Sequence, residues 1–281
     1  MLIKEKLLTG VFCLWLSLLF SSCTPHPLKH ESLHAVLWIQ SSAEHSASAH
    51  QAYRVAKEKL DAALKLSTWT AALEQGEQYS ILPPAVIIDI DETVLDNSPF
   101  QAQLVKDGKC FNKEIWKRWV QKADASAIPG SLQFVTYAQS KGVEIFYVTN
   151  RTSDLEVNTR RNLEKLGFHI KSKPDTLLMK KERGWSSDKT SRRKYVAKDY
   201  RILLLIGDDL NDFISNTERT QTTTETHKYI LEKYASYWGD KWILLPNPVY
   251  GSWERSLCGS IEGLSYNERL IRKCEKLKTF E

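Results

Sequence analysis

Four short, largely apolar runs stand out in the pattern of hydrophobic and polar positions along the chain. They span residues 85–88, 143–148, 202–206 and 242–245, and each ends at a polar residue, at Gly-Asp or at proline. A run of this length that is rich in β-branched and other large apolar residues is typical of a strand buried on both faces of a parallel sheet. The sequence therefore predicts a parallel sheet that contains these four strands.

Helical periodicity fills the intervals between these runs. Residues 131–140 end shortly before Gly142 and residues 155–166 end before Gly167, and glycine just past a periodic segment is typical of a helix C-terminus. The alternation of strand and helix predicts the α/β class with a doubly wound parallel sheet. The alanine-rich residues 34–80 have apolar positions at helical spacing and predict a small flanking helical domain.

The N-terminus resembles a bacterial lipoprotein signal peptide. Two lysines precede an apolar stretch at residues 7–20, which is shorter than the ~20 residues of a spanning helix, although an uncleaved anchor is the alternative. The Leu-Phe-Ser-Ser-Cys that follows resembles a lipobox, with Phe20 where leucine is usual. The resemblance predicts removal of residues 1–22, lipidation of Cys23 and a tether at residues 23–33.

The residue after the lipidated cysteine bears on the location. Thr24 stands where aspartate commonly signals retention in the inner membrane, so the expected location is the bacterial cell envelope, lipid-anchored in the outer membrane. Whether the protein faces the periplasm or the exterior stays open.

Composition and charge narrow the function classes. The 281 residues include 39 Lys and Arg against 34 Asp and Glu, and the net charge of +5 is spread along the chain. This distribution does not indicate a nucleic-acid partner, but it is compatible with a small anionic substrate. The cysteines beyond the lipobox, Cys110, Cys258 and Cys274, match no zinc spacing, so a structural zinc site is not expected.

Polar residues follow three of the predicted strands. Asp89 and Thr149 come directly after two of them, and Asp208 follows the third after Gly207. Ligands of doubly wound sheets bind at this carboxyl edge. Asp89 and Asp91 stand two positions apart on an extended segment, so both project to the same side. With Asp208 and Asp212 they form a set that favours Mg²⁺, because such charges repel one another without a hard cation. The alternative for an isolated Asp-x-Asp pair is a turn or helix cap.

Four ordered motifs resemble those of a known enzyme family. They are Ile-Asp-Ile-Asp-Glu-Thr-Val-Leu-Asp-Asn-Ser-Pro-Phe at 88–100, Phe-Tyr-Val-Thr-Asn-Arg at 146–151, Gly-Asp-Asp-Leu-Asn-Asp-Phe at 207–213 and Leu-Pro-Asn-Pro-Val-Tyr-Gly-Ser-Trp-Glu at 245–254. The set resembles the class C nonspecific acid phosphatases, bacterial lipoproteins of the haloacid dehalogenase (HAD) superfamily. The resemblance implies a HAD-like core at residues 81–255 with a small cap insertion near 97–130, followed by a helical segment at 256–281.

The resemblance also implies catalytic roles. Asp89 would be the nucleophile that forms an aspartyl-phosphate, and Asp91 would protonate the leaving oxygen and then deprotonate water. Because Asp91 must begin protonated, an acid pH optimum is expected. Mg²⁺ would be held by the Asp89 carboxylate, the Asp91 carbonyl and Asp208, with Asp212 close by. Thr149 would donate a hydrogen bond to the phosphoryl group.

One lysine should balance the charge of the nucleophile and phosphate. Lys189 is chosen because Lys-x-x-Arg-Arg resembles the third motif of the family. The other lysines of this region and the two arginines are expected on a solvated face; they are Lys180, Lys181, Lys194, Arg192 and Arg193. The family commonly has asparagine at the position of Asp209, which here adds a carboxylate near the metal.

Substrate recognition is predicted at three positions. Asn150 would lie beside the phosphoryl group, and Trp116 and Tyr250 would stack on a nucleobase or aromatic ring, favouring nucleoside monophosphates. For Trp119 and Trp253, packing in the core or in a dimer contact is the preferred reading. The alternatives to a phosphatase are a phosphotransferase with the same intermediate and a non-catalytic surface-binding lipoprotein. The resemblance also implies a homodimer.

Overall fold

The computed structural model describes residues 30–216, 224–258, 264 and 266–280, and a five-stranded parallel sheet lies at its centre. Residues 1–22, Cys23 and most of the expected tether lie outside the described residues. The strands are β1 (Pro84–Ile88), β2 (Leu95–Asp96), β3 (Ser126–Ala127), β4 (Glu144–Thr152), β5 (Leu177–Lys180), β6 (Arg201–Gly207) and β7 (Trp242–Leu244). The order in the sheet is β5-β4-β1-β6-β7, and β2 and β3 form a separate antiparallel pair.

The order of the strands creates a crevice at the carboxyl edge of the sheet. Strand β1 lies at the centre, with Ile88 paired to Tyr147 of β4 on one side and to Ile206 of β6 on the other. The chain passes from β1 to β4 and later returns to the opposite side at β6, so the winding direction reverses at β1. The predicted doubly wound parallel sheet is confirmed. Its switch point lies at the carboxyl edge of β1, where the sequence predicted the site.

Strand β5 was not among the four predicted strands. Its apolar part is only Leu-Leu-Met, which is short and lacks β-branched residues, so the sequence pattern does not distinguish it from a loop or a helix end. It adds to the edge of the sheet beside β4, where Thr149 pairs with Met179.

Both faces of the sheet are covered by helices. Alternate residues of β1 point to opposite faces, so Val86 and Ile88 pack in one core cluster and Ala85 and Ile87 in the other. The α-helices with both ends in the described residues are α1 (Leu33–Ser41), α2 (Ala43–Leu64), α3 (Ser98–Asp107), α4 (Lys113–Lys122), α5 (Ser131–Ser140), α6 (Glu156–Lys165), α7 (Thr190–Ala197), α8 (Thr224–Lys233), α9 (Ser252–Cys258) and α10 (Tyr266–Cys274).

The second N-terminal helix packs directly on the core. Helix α2 buries Ala49, Ala56 and Leu60 in the same cluster as Val86 and Ile88 of β1, so it is a layer of the core itself. None of the helices in the described ranges is both long and apolar enough to cross a membrane.

The segment between β1 and β4 lies beside the carboxyl edge. It contains α3 and α4 and the β2–β3 pair. The side-chain oxygen of Asn112 accepts hydrogen bonds from the backbone N–H groups of Glu114 and Ile115 and so fixes the start of α4. Helix α3 ends at Gly108, which adopts the left-handed conformation with φ of 60°.

Candidate active site

Three carboxylates meet where β1 and β6 end. Asp89 follows β1, and its backbone N–H donates to the Ile206 carbonyl at 2.9 Å, which holds it at the edge of the sheet. One carboxylate oxygen each of Asp89, Asp208 and Asp212 lies within 4.8 Å of the others. Gly207 permits this approach, because a Cβ at that position would overlap the Asp212 side chain.

Burial makes this cluster electrostatically costly. Burial raises the pKa of Asp89 to about 7, and Asp212 and Asp91 add to the rise while Lys189 opposes it. Burial and the charges of Asp89 and Asp212 also raise the pKa of Asp208 well above its ordinary value. Three oxygen ligands with this mutual repulsion fit a divalent cation such as Mg²⁺.

Lys189 is the cation that the structure brings into the cluster. Its ammonium group donates to Asp89 and, at 2.5 Å, to Oδ1 of Asp212, and only 4% of the residue is exposed. Burial by itself would lower the pKa of Lys189, but the Asp212 and Asp89 carboxylates outweigh it and the pKa is raised. The lysine chosen from the sequence thus lies against the expected nucleophile.

The expectation of a solvated face for Arg192 and Arg193 was wrong. Both residues are completely buried. At the end of β4, Arg192 donates to the backbone oxygen of Thr149 and to the side-chain oxygen of Asn150. Arg193 donates to the backbone oxygen of Asp212 at 3.0 Å, so both guanidinium groups tie α7 to the ends of the sheet strands.

The predicted residues at the end of β4 have different surroundings. The Thr149 hydroxyl lies 3.5 Å from Oδ2 of Asp91, so it faces the site. Asn150 donates to the Ser187 carbonyl at 3.0 Å and accepts from Arg192 at 2.8 Å. The Asn150 side chain therefore holds the loop that leads to Lys189.

Around Asp91 the structure shows an arginine to which the sequence analysis assigned no role. Arg151 is 2% exposed, and its Nη2 lies 2.8 Å from Oδ1 of Asp91. Asn97 donates to the same oxygen at 2.9 Å and to Glu92 Oε2 at 2.9 Å. Arg151 ends the second motif and Asn97 lies within the first, so their motif membership was the available signal.

The predicted stacking residues are both connected to this network. The Tyr250 hydroxyl donates to Glu92 Oε2 at 2.6 Å. Trp116 is half-buried, with its ring 5.0 Å from that of Phe100 and 5.5 Å from the Arg151 guanidinium. Burial and the Asp91 charge raise the pKa of Glu92 to about 8.

The two tryptophans expected to pack elsewhere differ from each other. Trp119 is half-buried and donates through its indole N–H to Oδ1 of Asn97 at 2.8 Å. Trp253 is 40% exposed. The first of these rings therefore helps to hold the loop around Asp91, whereas the second does not pack in the core of the described chain.

Two further side chains support the cluster from outside. Asn247 donates to Oδ2 of Asp208 at 2.8 Å. The Thr93 hydroxyl donates to Oδ1 of Asp208 at 3.1 Å, and the Thr93 carbonyl accepts from Tyr53 of α2 at 2.6 Å. Tyr53 lies in the predicted flanking helix, far from any motif, so the sequence offered no signal for this contact.

Asp209 does not join the three clustered carboxylates. Its side chain accepts from the backbone N–H of Asn211 at 2.9 Å and from that of Ser252 at the start of α9. The additional carboxylate expected near the metal instead caps the turn after β6 and fixes the segment that carries α9.

Comparison with known proteins agrees with this geometry. A sequence model of the family described as HAD superfamily, subfamily IIIB (acid phosphatase), matches residues 18–253. The structure is similar to the class C acid phosphatase from Bacillus anthracis, with a TM-score of 0.77, 34% identity and coverage of 90% of this chain and 99% of that chain. A second structure of that phosphatase, with tungstate bound, matches at 34% identity and a TM-score of 0.76, covering 89% of this chain and 98% of that chain.

Plant proteins are similar over a shorter length. The stem 28 kDa glycoprotein of Glycine max is 32% identical over 170 residues, which are 58% of each chain. Acid phosphatase 1 of Solanum lycopersicum is 26% identical over 136 residues, 47% of this chain and 52% of the relative. The match thus spans 52% to 58% of the length of these two relatives.

The family match covers most of the chain, and the structural likeness extends over 90% of it. The family recognised from the four motifs, its fold and its enzyme class are therefore confirmed. This chain belongs to subfamily IIIB of the HAD superfamily, a family of acid phosphatases.

Proposed function

We propose that the protein hydrolyses phosphate monoesters through an aspartyl-phosphate on Asp89. The observation that carries this proposal is the Asp89 carboxylate, held at the switch point of the sheet with the Lys189 ammonium on one of its oxygens. An attacking carboxylate needs its charge balanced when it meets a phosphate dianion, and a buried lysine supplies this balance. Asp91 lies two residues further on, where it can exchange a proton with the leaving oxygen.

A divalent cation completes the charge balance in this proposal. Asp89, Asp208 and Asp212 would hold it, since their oxygens cluster within 4.8 Å. When bound, Mg²⁺ would neutralise the phosphoryl oxygens and draw the phosphate towards the nucleophile. Support comes from the oxygen-only donor set and from the raised pKa values of Asp89 and Asp208, which a bound cation would lower.

Nucleoside monophosphates are the proposed substrate class. Trp116 lies against the Arg151 guanidinium and Tyr250 is bonded to Glu92, so both rings are connected to the Asp91 side of the site. Because Asp91 would protonate the leaving group, aromatic rings on this side can stack on a nucleobase that departs. The tungstate bound to the Bacillus anthracis phosphatase is an oxyanion like phosphate, which agrees with a phosphate-binding site in the family.

The proposed setting is the cell envelope. The lipobox at Cys23 would attach the mature chain to the outer membrane, and residues 23–33 would separate the enzyme from the lipid surface. Incorporation of labelled palmitate into the wild type but not into Cys23→Ala would test the anchor.

Phosphate release tests the activity. The assay would use nucleoside monophosphates, sugar phosphates and an aryl phosphate at several pH values, with Mg²⁺ or EDTA. Asp89→Asn should lower kcat at least about 10³-fold. Asp124→Asn is the matched control, since this exposed carboxylate pairs with Lys165 at the end of α6 and should leave kcat unchanged.

The outcomes separate the alternatives. A folded wild type that releases no phosphate, or an Asp89→Asn variant with full activity, would overturn the proposal. Product analysis with an added acceptor nucleoside distinguishes hydrolysis from phosphoryl transfer, because the aspartyl-phosphate on Asp89 is common to both. Equal rates on all phosphate esters would reject the nucleoside preference alone.

A further inference from the structure

Two hydrogen bonds and an ion-pair contact converge on one oxygen of the Asp91 carboxyl group. Arg151 donates to Oδ1 from Nε at 2.9 Å, and its Nη2 lies 2.8 Å from the same atom. Asn97 donates to this oxygen from Nδ2 at 2.9 Å. The other oxygen, Oδ2, has the Thr149 hydroxyl at 3.5 Å. The two oxygens of one carboxyl group therefore have different surroundings.

The donors themselves are held in place. The Arg151 guanidinium is buried, and it also donates to Oδ1 of Asn97 at 3.2 Å and lies over the Trp116 ring. Asn97 is fully buried, and its amide oxygen also accepts from Trp119 at 2.8 Å while its amide nitrogen bonds Glu92. Because both donors are fixed by other contacts, they fix the plane of the carboxyl group that they bind.

This asymmetry has a chemical consequence for the acid. An oxygen that accepts two hydrogen bonds and pairs with a guanidinium is the poorer site for a proton. A proton on this carboxyl group therefore resides on Oδ2, the oxygen on the side of Thr149. The geometry selects which oxygen of Asp91 delivers the proton.

We propose that Arg151 and Asn97 are positioning residues that direct the acid function of Asp91 through Oδ2. This inference rests on the phosphatase function proposed above. Glu92 and Trp119 contribute indirectly, because they hold the amide of Asn97 in its orientation. Arg151 itself contacts the acid and need not contact the phosphate.

The proposed reaction consists of two displacements at phosphorus. A carboxylate oxygen of Asp89 forms a bond to phosphorus while the bond from phosphorus to the ester oxygen breaks. The electron pair of that bond stays on the ester oxygen, which takes the proton from Oδ2 of Asp91 and leaves as an alcohol. Water then attacks the phosphorus, gives a proton to the same Oδ2 atom, and releases phosphate from Asp89.

Leaving-group dependence tests the proposal. 4-Nitrophenolate departs from a phosphate ester without being protonated, whereas the alkoxide of glycerol phosphate needs the proton. Arg151→Lys keeps the positive charge but loses the two-point contact with Oδ1. We expect kcat/KM for glycerol phosphate to fall roughly tenfold to hundredfold more than kcat/KM for 4-nitrophenyl phosphate. The inhibition constant of inorganic phosphate should stay within about twofold of the wild type.

A second variant and a control complete the experiment. Asn97→Ser removes one donor and should shift the ratio of the two kcat/KM values in the same direction, and it decides the question if thermal unfolding shows that Arg151→Lys does not fold. Arg160→Lys is the matched control, since Arg160 pairs with Glu156 and Asp175 on α6 and the following loop, and it should leave the ratio unchanged.

Two results would overturn the inference. An equal loss on both substrates would indicate a general structural role for Arg151. A raised inhibition constant of phosphate with an unchanged ratio would indicate that Arg151 binds the phosphate instead. Failure of the phosphatase function would be visible separately, as an inactive wild type or an active Asp89→Asn variant.

Discussion

Asp89 and Asp91 are two residues apart in the chain, but they lie in two different halves of the site. The Asp89 half has three clustered carboxylates and one ammonium group that bonds two of them, so negative charge is in excess. The Asp91 half surrounds its carboxyl group with amide and guanidinium donors. We define the Asp89 half as Asp89, Asp208, Asp212 and Lys189, and the Asp91 half as Asp91, Glu92, Asn97, Arg151 and Tyr250.

These different surroundings allow two aspartates to take two chemical roles. Excess negative charge in the Asp89 half suits a nucleophile that works beside a cation. Directional donors in the Asp91 half leave one oxygen for proton transfer. The halves are also built from different parts of the chain. The first uses the ends of β1 and β6 with the residue before α7, and the second uses the insertion after β1, the end of β4 and the segment before α9.

The largest effect is expected from Lys189→Met, which breaks the Asp89 half. This variant leaves the buried Asp89 and Asp212 carboxylates without their ammonium partner. In the absence of metal, the free energy of unfolding should fall by about 3–5 kcal/mol, and kcat should fall at least about 10²-fold. Urea unfolding in EDTA and steady-state kinetics measure the two effects.

Added Mg²⁺ and a control variant test whether the loss of stability comes from the lost positive charge. Mg²⁺ should restore part of the stability of Lys189→Met, because a cation can replace the lost positive charge. Lys194→Met on the exposed side of α7 should change neither quantity. Equal unfolding free energies for Lys189→Met and the wild type in EDTA would contradict the charge balance described for this half.

An intermediate effect is expected from Glu92→Gln in the Asp91 half. The carboxyl group of Glu92 has its ordinary pKa of 4.5 in the unfolded chain, and burial and the Asp91 charge raise this pKa to about 8 in the folded protein. The unfolded chain therefore loses its proton first, and wild-type stability falls as pH rises from about 4.5 to 8 and then levels off.

Glu92→Gln has no carboxyl group to ionise, so the stability of this variant relative to the wild type should rise by about 3–4 kcal/mol between roughly pH 5 and pH 8. Urea unfolding of both proteins in EDTA at the two pH values measures this change. Glu114→Gln at the exposed start of α4 is the control and should show no pH-dependent difference. A stability difference between Glu92→Gln and the wild type that is the same at both pH values would reject the raised pKa of Glu92.

The smallest effect is expected from Asp209→Asn. Asp209 accepts from two backbone N–H groups and lies outside the carboxylate cluster, so the variant loses about one hydrogen bond, or roughly 1 kcal/mol of stability. We expect kcat and the Mg²⁺ requirement to stay within about twofold of the wild type. Asp208→Asn provides the contrast and should weaken Mg²⁺ activation strongly. A similar loss in both variants would place Asp209 at the metal after all.

The sequence was most informative where local pattern and chemistry coincide. An apolar run that ends in Asp89, Thr149 or Asp208 identifies a strand and its carboxyl end together, and the rules of doubly wound sheets bring such ends together. Lys189 was found through its motif. The edge strand β5 was not predicted, because a run of three apolar residues is too short to show a periodicity.

The wrong predictions of burial concern charged residues. Arg192 and Arg193 follow a lysine in a polar segment, which is the usual pattern of an exposed helix face. They are buried because carbonyl and carboxylate oxygens of distant segments, such as Glu74 and the end of β4, surround them. Their burial depends on partners that no local pattern reveals.

By itself the sequence determined the fold class, the family and the identity of the residues at the strand ends, since these depend on periodicity and on short motifs. Only the tertiary structure decided which carboxylates form a cluster, that Asp209 stays outside it, and that Arg151 and Asn97 hold one oxygen of Asp91. The physical reason is the separation along the chain of the residues that interact. Strands and turns follow from neighbouring residues, whereas burial, charge balance and the direction of a hydrogen bond are set by groups that meet only when the sheet, its insertion and the helices on its two faces are assembled.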